Sequence, residues 1–237
     1  MAIHNYINPV LFVILIIIAQ SSCDTKSKST QDHAKKKTVY ADFNNNYKLG
    51  FINIQEYRES KDSVAKKKLL ETAVFYLEKA HLLDTNNMDA LHLLANSYYL
   101  SKNYKRSIEL FEKCEAKKPG DPKILKNLHR SYREMGKQYF FLDNNPLWAK
   151  RVLEKALQID DKDPATLEMM GVVESGMGNW KEGIAYYKKA IALDPKAAST
   201  WVNLSVTYSK KGEDDKAVAA LKKAQEIDPK ATNPLLH

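Results

Sequence analysis

A self-similar segment that returns every 34 residues constrains this chain more than any other feature. Units begin at Ile54, Met88, Pro122, Pro164 and Ala198; three of the four steps are 34 residues and the step from Pro122 to Pro164 is 42. A period of this length marks a supersecondary unit too small to bury its own apolar face, so stacked neighbours must supply the core. The second half of each unit carries the clearest stripe: Ala73, Leu77, Ala80, Leu83; Ser107, Phe111, Cys114; Ala149, Leu153, Ala156, Ile159; Gly183, Tyr187, Ala190, Leu193; Ala217, Leu221, Ala224, Ile227. Spacings of four and three put these side chains on one face of a helix. Small residues at the first and third places let two helices approach, and the large residue between them fills the gap. With only 8 Gly and 8 Pro among 237 residues, the pattern predicts an all-α fold.

The first half of each unit carries a matching stripe: Leu91, Leu94, Ala95, Tyr98; Leu125, Leu128, His129, Tyr132; Leu167, Met170, Gly171; Trp201, Leu204, Ser205, Tyr208. Gly136, Gly178 and Gly212 stand between the halves, where a helix end often needs a left-handed residue. These residues resemble the tetratricopeptide repeat (TPR) family over about 54–231. The resemblance implies a right-handed α-solenoid of about five stacked helical hairpins over 51–237, with first helices lining a concave groove that holds a partner protein or peptide. Ser60 and Lys61 stand where unit one should pack, which marks it as degenerate or a cap. Glu174 replaces the usual aromatic of unit four, and His129 reads as a helix-packing histidine. The insertion in unit three, 137–148, holds Tyr139, Phe140, Phe141, Leu147 and Trp148 around Asn144-Asn145-Pro146. Both helices of that unit are expected to lengthen by about a turn, with the aromatics crowding a protruding tip.

Val10–Ala19 is an uninterrupted apolar run, shorter than the roughly 20 residues that span a bilayer but suited to the core of a signal peptide, 1–22. Ala19-Gln20-Ser21-Ser22-Cys23 follows at once and resembles the lipobox of bacterial lipoproteins, which implies lipid (palmitate among its acyl chains) on Cys23 and a membrane-anchored protein of the cell envelope, facing the periplasm or exterior. Cleavage after Ser21, giving a secreted protein, is the main alternative, and an uncleaved anchor or no export is a further one. Residues 23–50 are rich in Lys, Ser, Thr, Asp and Asn and read as a flexible tether. Cys114, on an apolar helix face, reads as a small buried side chain.

No HExxH, CxxC, glycine-rich phosphate loop or GxSxG elbow is present, and the six histidines show no i,i+4 pair. This excludes the recognisable catalytic and metal motifs, so no cofactor, metal or enzymatic activity is expected. The formal net charge of +8 allows nucleic acid, an anionic surface or an acidic protein, but an export signal and the lack of an aromatic-basic recognition module argue against nucleic acid.

Lys123, Lys126, Arg130, Arg133 and Lys137 are spaced three, four, three and four residues apart and make one basic stripe on a helix. In the family's frame the first four face the groove, beside His92, Asn96 and Tyr99 in unit two and Asn127 in unit three. Asn96 and Asn127 match two asparagines of the carboxylate clamp of chaperone-binding tetratricopeptide domains. His92 stands where that clamp has Lys, and Ala165 and Met169 replace its later basic residues. The expected function is therefore a membrane-anchored scaffold that binds an acidic or carboxylate-bearing segment of another protein, as an assembly factor for an envelope complex. The alternative is a self-associating structural component, with the apolar Ala217–Leu221 segment of the last helix exposed for a homo-oligomeric contact.

Overall fold

The computed structural model describes residues 9–235, with side chains from Asp32 onward apart from His33 and Ala34. The expected signal-peptide core, the cleavage region and Cys23 lie outside the residues whose side chains are described. Among the described residues the chain forms ten helices and no strand: α1 (Pro9–Glu59), α2 (Ser63–Leu83), α3 (Met88–Leu100), α4 (Tyr104–Lys117), α5 (Pro122–Phe141), α6 (Pro146–Ile159), α7 (Pro164–Gly176), α8 (Trp180–Leu193), α9 (Ala198–Lys211) and α10 (Asp214–Ile227). They divide into two compact units, Met1–Ala90 and Leu91–His237.

In the first unit α1 packs along α2. Phe43 and Ile54 are buried, and Phe43 sits with Tyr47, Ala80 and Ala90. Gly50 passes so close to α2 that a Cβ there would lie 2.5 Å from Leu77 Cγ. Residues 43 to 50, expected as tether, are thus packed helix. Positions 43, 47, 50 and 54 are themselves spaced four, three and four, a helical stripe masked by the Asn and Lys around it. Ser60 and Lys61 are not failed packing residues; they form the turn into α2, whose N-cap Asp62 accepts the Val64 N–H at 2.8 Å. That turn leaves α2 with 21 residues, against 14 for α4.

In the second unit α5–α6, α7–α8 and α9–α10 are helical hairpins, with α4 against α5, α6 against α7 and α8 against α9. The starts follow local rules. Asp121, Asn145 and Asp163 precede Pro122, Pro146 and Pro164, and each accepts a first-turn N–H through its side chain; proline loses nothing where the helix has no partner for its N–H. Gly212 ends α9 in the left-handed conformation, φ 79°. Phe111, Cys114, Ala149, Leu153, Ala156 and Ala217 are fully buried, and a large apolar side chain so placed contributes roughly 1.5–3 kcal/mol. Burial pushes the Cys114 thiol up to about 11, so it stays protonated. The fourth place of the stripe behaves differently: Leu193 and Ile227, in the last turns of α8 and α10, are 46% and 39% exposed.

Gly136 does not end a helix. It lies inside α5, where an added Cβ would meet Leu153 Cγ at 2.6 Å. The insertion therefore lengthens α5 alone, to 20 residues against 13 for α7, while α6 keeps the 14 of α8. The physical reason is register: α6 must present Ala149 and Leu153 to the core at the usual level, so the extra residues continue α5 until Asn144, at φ 47°, turns the chain back. Phe140 packs on α7, within reach of where a Cβ of Gly176 would stand. Phe141, Leu142, Leu147 and Trp148 remain 63%, 79%, 67% and 49% exposed.

At the C-terminal end the tail folds back. Ala231 and Asn233 are buried, Gln225 Nε2 donates to the Ala231 carbonyl at 3.1 Å, and Asn233 Nδ2 donates to Ser205 Oγ at 2.8 Å and Ser209 Oγ at 3.1 Å. The tail thus covers Ser205 and Ser209 of α9 and reaches Gln225 of α10; Ala220 is buried in the core with Leu204 and Tyr208, and Val218 stays 55% exposed.

Candidate functional site

Within the second unit, successive first helices meet through polar side chains of fixed repeat position. Asn127 of α5 lies 3.3 Å from His92 Nε2 of α3, and Asn203 Nδ2 of α9 donates to Glu168 Oε1 of α7 at 2.9 Å. Both pairs join the fifth residue of one unit to the sixth of the next, so two of the junctions between first helices carry a polar rung. Asn96 Nδ2 sits 3.1 Å from His92 Nδ1 and donates to the His92 carbonyl at 3.0 Å. A neutral imidazole accepts at one nitrogen and donates at the other, so His92 accepts from one of these amides and must donate to the carbonyl oxygen of the other; its ring stands edge-on to Phe111 at 5.5 Å. The two asparagines that matched the carboxylate clamp are therefore grouped on one histidine.

Tyr99 receives Arg130. The guanidinium lies 5.0 Å from the ring centroid and donates to the Tyr99 hydroxyl at 3.3 Å. A cation on an aromatic face keeps the guanidinium's other edge available for a planar acceptor. Lys123, Lys126 and Arg130 are exposed, and among the described residues none of the three is in an ion pair.

Arg133 departs from the expected stripe. Its Nη1 donates to Asp163 Oδ2 at 3.1 Å, and its side chain is only 17% exposed. Lys137 pairs with Glu134 at 3.0 Å. The stripe is therefore cationic over its first half and internally neutralised over its second. Burial works against ionisation of Asp163, but hydrogen bonds from Thr166 and Arg133 outweigh it and hold its carboxyl below the ordinary range. His129 is buried behind this pair, its Nε2 3.2 Å from Thr166 Oγ1. Burial lowers its pKa, against the pull of Asp163, so a packing role fits it. A surface cleft of about 460 Å³ runs here, with Leu125 and Ile159 beside Lys126, Arg130 and Arg133 on one hand and Asp160 and Asp163 on the other. Among the described residues no cluster of three or more metal-ligating side chains comes together.

Asp163 caps α7 through its side chain; its second role, facing Arg133 across 30 positions, had no local signal. The Glu168–Asn203 rung did have one, the recurrence of the His92–Asn127 positions in the next pair of units.

Comparison with known proteins agrees with this geometry. Residues 163–230 match the family model described as tetratricopeptide repeat, and residues 66–139 match the one described as subunit 3 of the anaphase-promoting complex, or cyclosome. The fold is an all-α TPR solenoid. Among solved structures, a MamA protein aligns with TM-score 0.56 at 22% identity, over 80% of this chain and 97% of its own. MamA (41 to the end) from Desulfovibrio magneticus RS-1 aligns with TM-score 0.53 at 16% identity, over 76% and 96%. YrrB, described as a TPR protein with an unusual peptide-binding site, aligns with TM-score 0.51 at 22% identity, over 75% and 93%. No curated protein matches the chain. A TPR solenoid of this kind is a surface for protein binding, and the described residues offer such a surface along α3, α5, α7 and α9.

Proposed function

We propose that this protein is a membrane-anchored, extracytoplasmic scaffold whose first-helix surface holds an acidic or carboxylate-bearing segment of a partner protein, as an assembly factor for an envelope complex. One observation carries the groove reading: Lys123, Lys126 and Arg130 stand exposed and without carboxylate partners beside an ordered polar rung, while the next cation, Arg133, is already matched by Asp163. Like charges on one helix face repel by a few tenths of a kcal/mol per pair, and an acidic ligand would relieve that. Arg130, pre-oriented on Tyr99, supplies the two-pronged donor that carboxylates favour, and Asn127 supplies an amide alongside. The unusual peptide-binding site described for YrrB is a precedent for the fold. Support for the anchor is the apolar run ending shortly before Cys23.

Crosslinking in membranes followed by mass spectrometry identifies the partner, and Lys126→Glu with Arg130→Glu tests the site. Both residues are exposed, so the double variant should keep its melting temperature and lose capture of the partner by about tenfold or more, with wild-type capture weakening as salt rises. Undiminished capture by the folded double variant places binding elsewhere.

A further inference from the structure

The α5–α6 connection carries a surface that the groove does not use. Four apolar side chains, Phe141, Leu142, Leu147 and Trp148, gather at the end of the lengthened α5 and the start of α6, each about half exposed or more. Phe141 stands edge-on to Phe140 at 5.1 Å and Trp148 lies 6.3 Å from Tyr139, so one side of each ring joins the hairpin while the rest stays exposed. Phe140 and Tyr139 already close the core below, where both pack against the cluster of Ala149, Leu153, Met169, Met170 and Val173. An apolar group of this kind left uncovered marks a contact site.

Its rim is cationic. Arg151 lies over the Trp148 ring at 5.0 Å, and exposed Lys102 borders the same hollow as Phe141 and Leu142. The same hollow takes in Glu134, paired with Lys137 at 3.0 Å, and Asp143 is the one acid in the connecting turn 142–145. The surface lies at a hairpin end, and its exposed apolar side chains suit a partner that yields around them. Seven residues beyond the length of α7 (20 less 13) make about two helical turns, or roughly 10 Å. Amphipathic elements that lie in a bilayer interface sink their apolar side chains by roughly 5–10 Å, with tryptophan at headgroup level and basic residues against anionic lipid.

We infer that the α5–α6 tip is a second membrane contact, in which Phe141, Leu142, Leu147 and Trp148 enter the interface of an anionic bilayer while Lys102 and Arg151 meet its headgroups. This contact is independent of the groove and of any lipid at Cys23.

The test reads the tip itself, so that binding by the N-terminal apolar segment does not obscure it. The chain has three tryptophans; in the full chain, Trp180→Phe and Trp201→Phe leave Trp148 as the reporter. On vesicles of phosphatidylglycerol brominated near the headgroup end of the acyl chain, Trp148 emission should shift to the blue and fall by about twofold or more. On brominated phosphatidylcholine vesicles the quenching should be much smaller, since the cations then have no anionic partner. Adding Leu142→Asp and Leu147→Asp, both at exposed positions, should abolish quenching and leave circular dichroism and melting temperature unchanged. Trp148 unquenched on anionic vesicles that carry the bound chain overturns the inference, as does equal quenching on neutral lipid or full quenching in the aspartate variant. A photoreactive residue at 147 that crosslinks to a protein, with Trp148 unquenched, assigns the tip to that protein instead.

Discussion

Three side chains show how position in the stack sets chemistry. His129 occupies a place normally given to a small residue, and it is accommodated because Thr166 and Asp163 face its outer nitrogen. Its folded pKa lies below the ordinary histidine value of about 6.5. The unfolded chain therefore binds this proton more readily, and the contribution to stability is complete above about pH 6.5 and lost as pH falls below it through the lower folded pKa. Asp163, held below its ordinary range, acts in another window: its contribution is present above about pH 4 and lost only as pH falls further. Melting temperature should thus fall between pH 7 and pH 5, and His129→Gln should remove part of that slope while keeping the loss below pH 4. A variant whose slope from pH 7 to pH 5 equals wild type contradicts the assignment. Glu174 is the third case. It stands where the family has an aromatic, is 2% exposed, and is matched by Lys150 at 2.8 Å and Asn179 Nδ2 at 2.8 Å. The residue type could be read from the sequence as a departure; that α6 would reach across with Lys150 could not.

At the level of helices, close approach was the most legible property. The alternation of small and large side chains along each stripe predicts which faces touch, and burial follows it through Ala73, Phe111, Leu153 and Tyr187. Gly171 is the sharpest instance: an added Cβ would lie 2.6 Å from Tyr187 Cε1, a buried ring with no room to turn. Gly171→Ala should cost about 1–3 kcal/mol by overpacking, read as a lower urea midpoint at unchanged slope. A neutral or stabilising result, from alanine's better helix propensity of about 1 kcal/mol, would mean that α7 and α8 can part more easily than their packing implies. The lengthened unit was legible as an insertion and misjudged in form. Counting residues locates eight extra positions, but only the demand that Ala149 and Leu153 reach the core assigns them to α5 and spares α6.

For the molecule as a whole, repetition governs fold and charge governs use. Apolar stripes recur because every hairpin needs its neighbours, whereas the cations of α5 recur in no other first helix. The proposed anchor belongs to this scale too, since lipid at one end would set which surfaces a partner can reach. Among the described residues no helix is long and apolar enough to cross a membrane; the proposed anchor is lipid on Cys23, after the apolar run Val10–Ala19. Cells fed a clickable fatty acid should label the wild-type chain, and Cys23→Ala should lose both the label and its place in the membrane fraction. Equal labelling of the two, or none in either, removes the lipoprotein reading.

What the amino-acid order determined by itself was the all-α repeat, its 34-residue period, the helix starts at Met88, Pro122, Pro164 and Ala198 and the faces they bury. These follow from caps, prolines and apolar spacing, all of which act within a few turns of one helix. Only the tertiary structure decided the packing of Phe43 and Gly50, the two added turns of α5, the cover that Asn233 lays over Ser205 and Ser209, and the capture of Arg133 by Asp163. Each of these depends on which side chains from distant parts of the chain arrive within a few ångströms of one another, and that is set by how the helices stack.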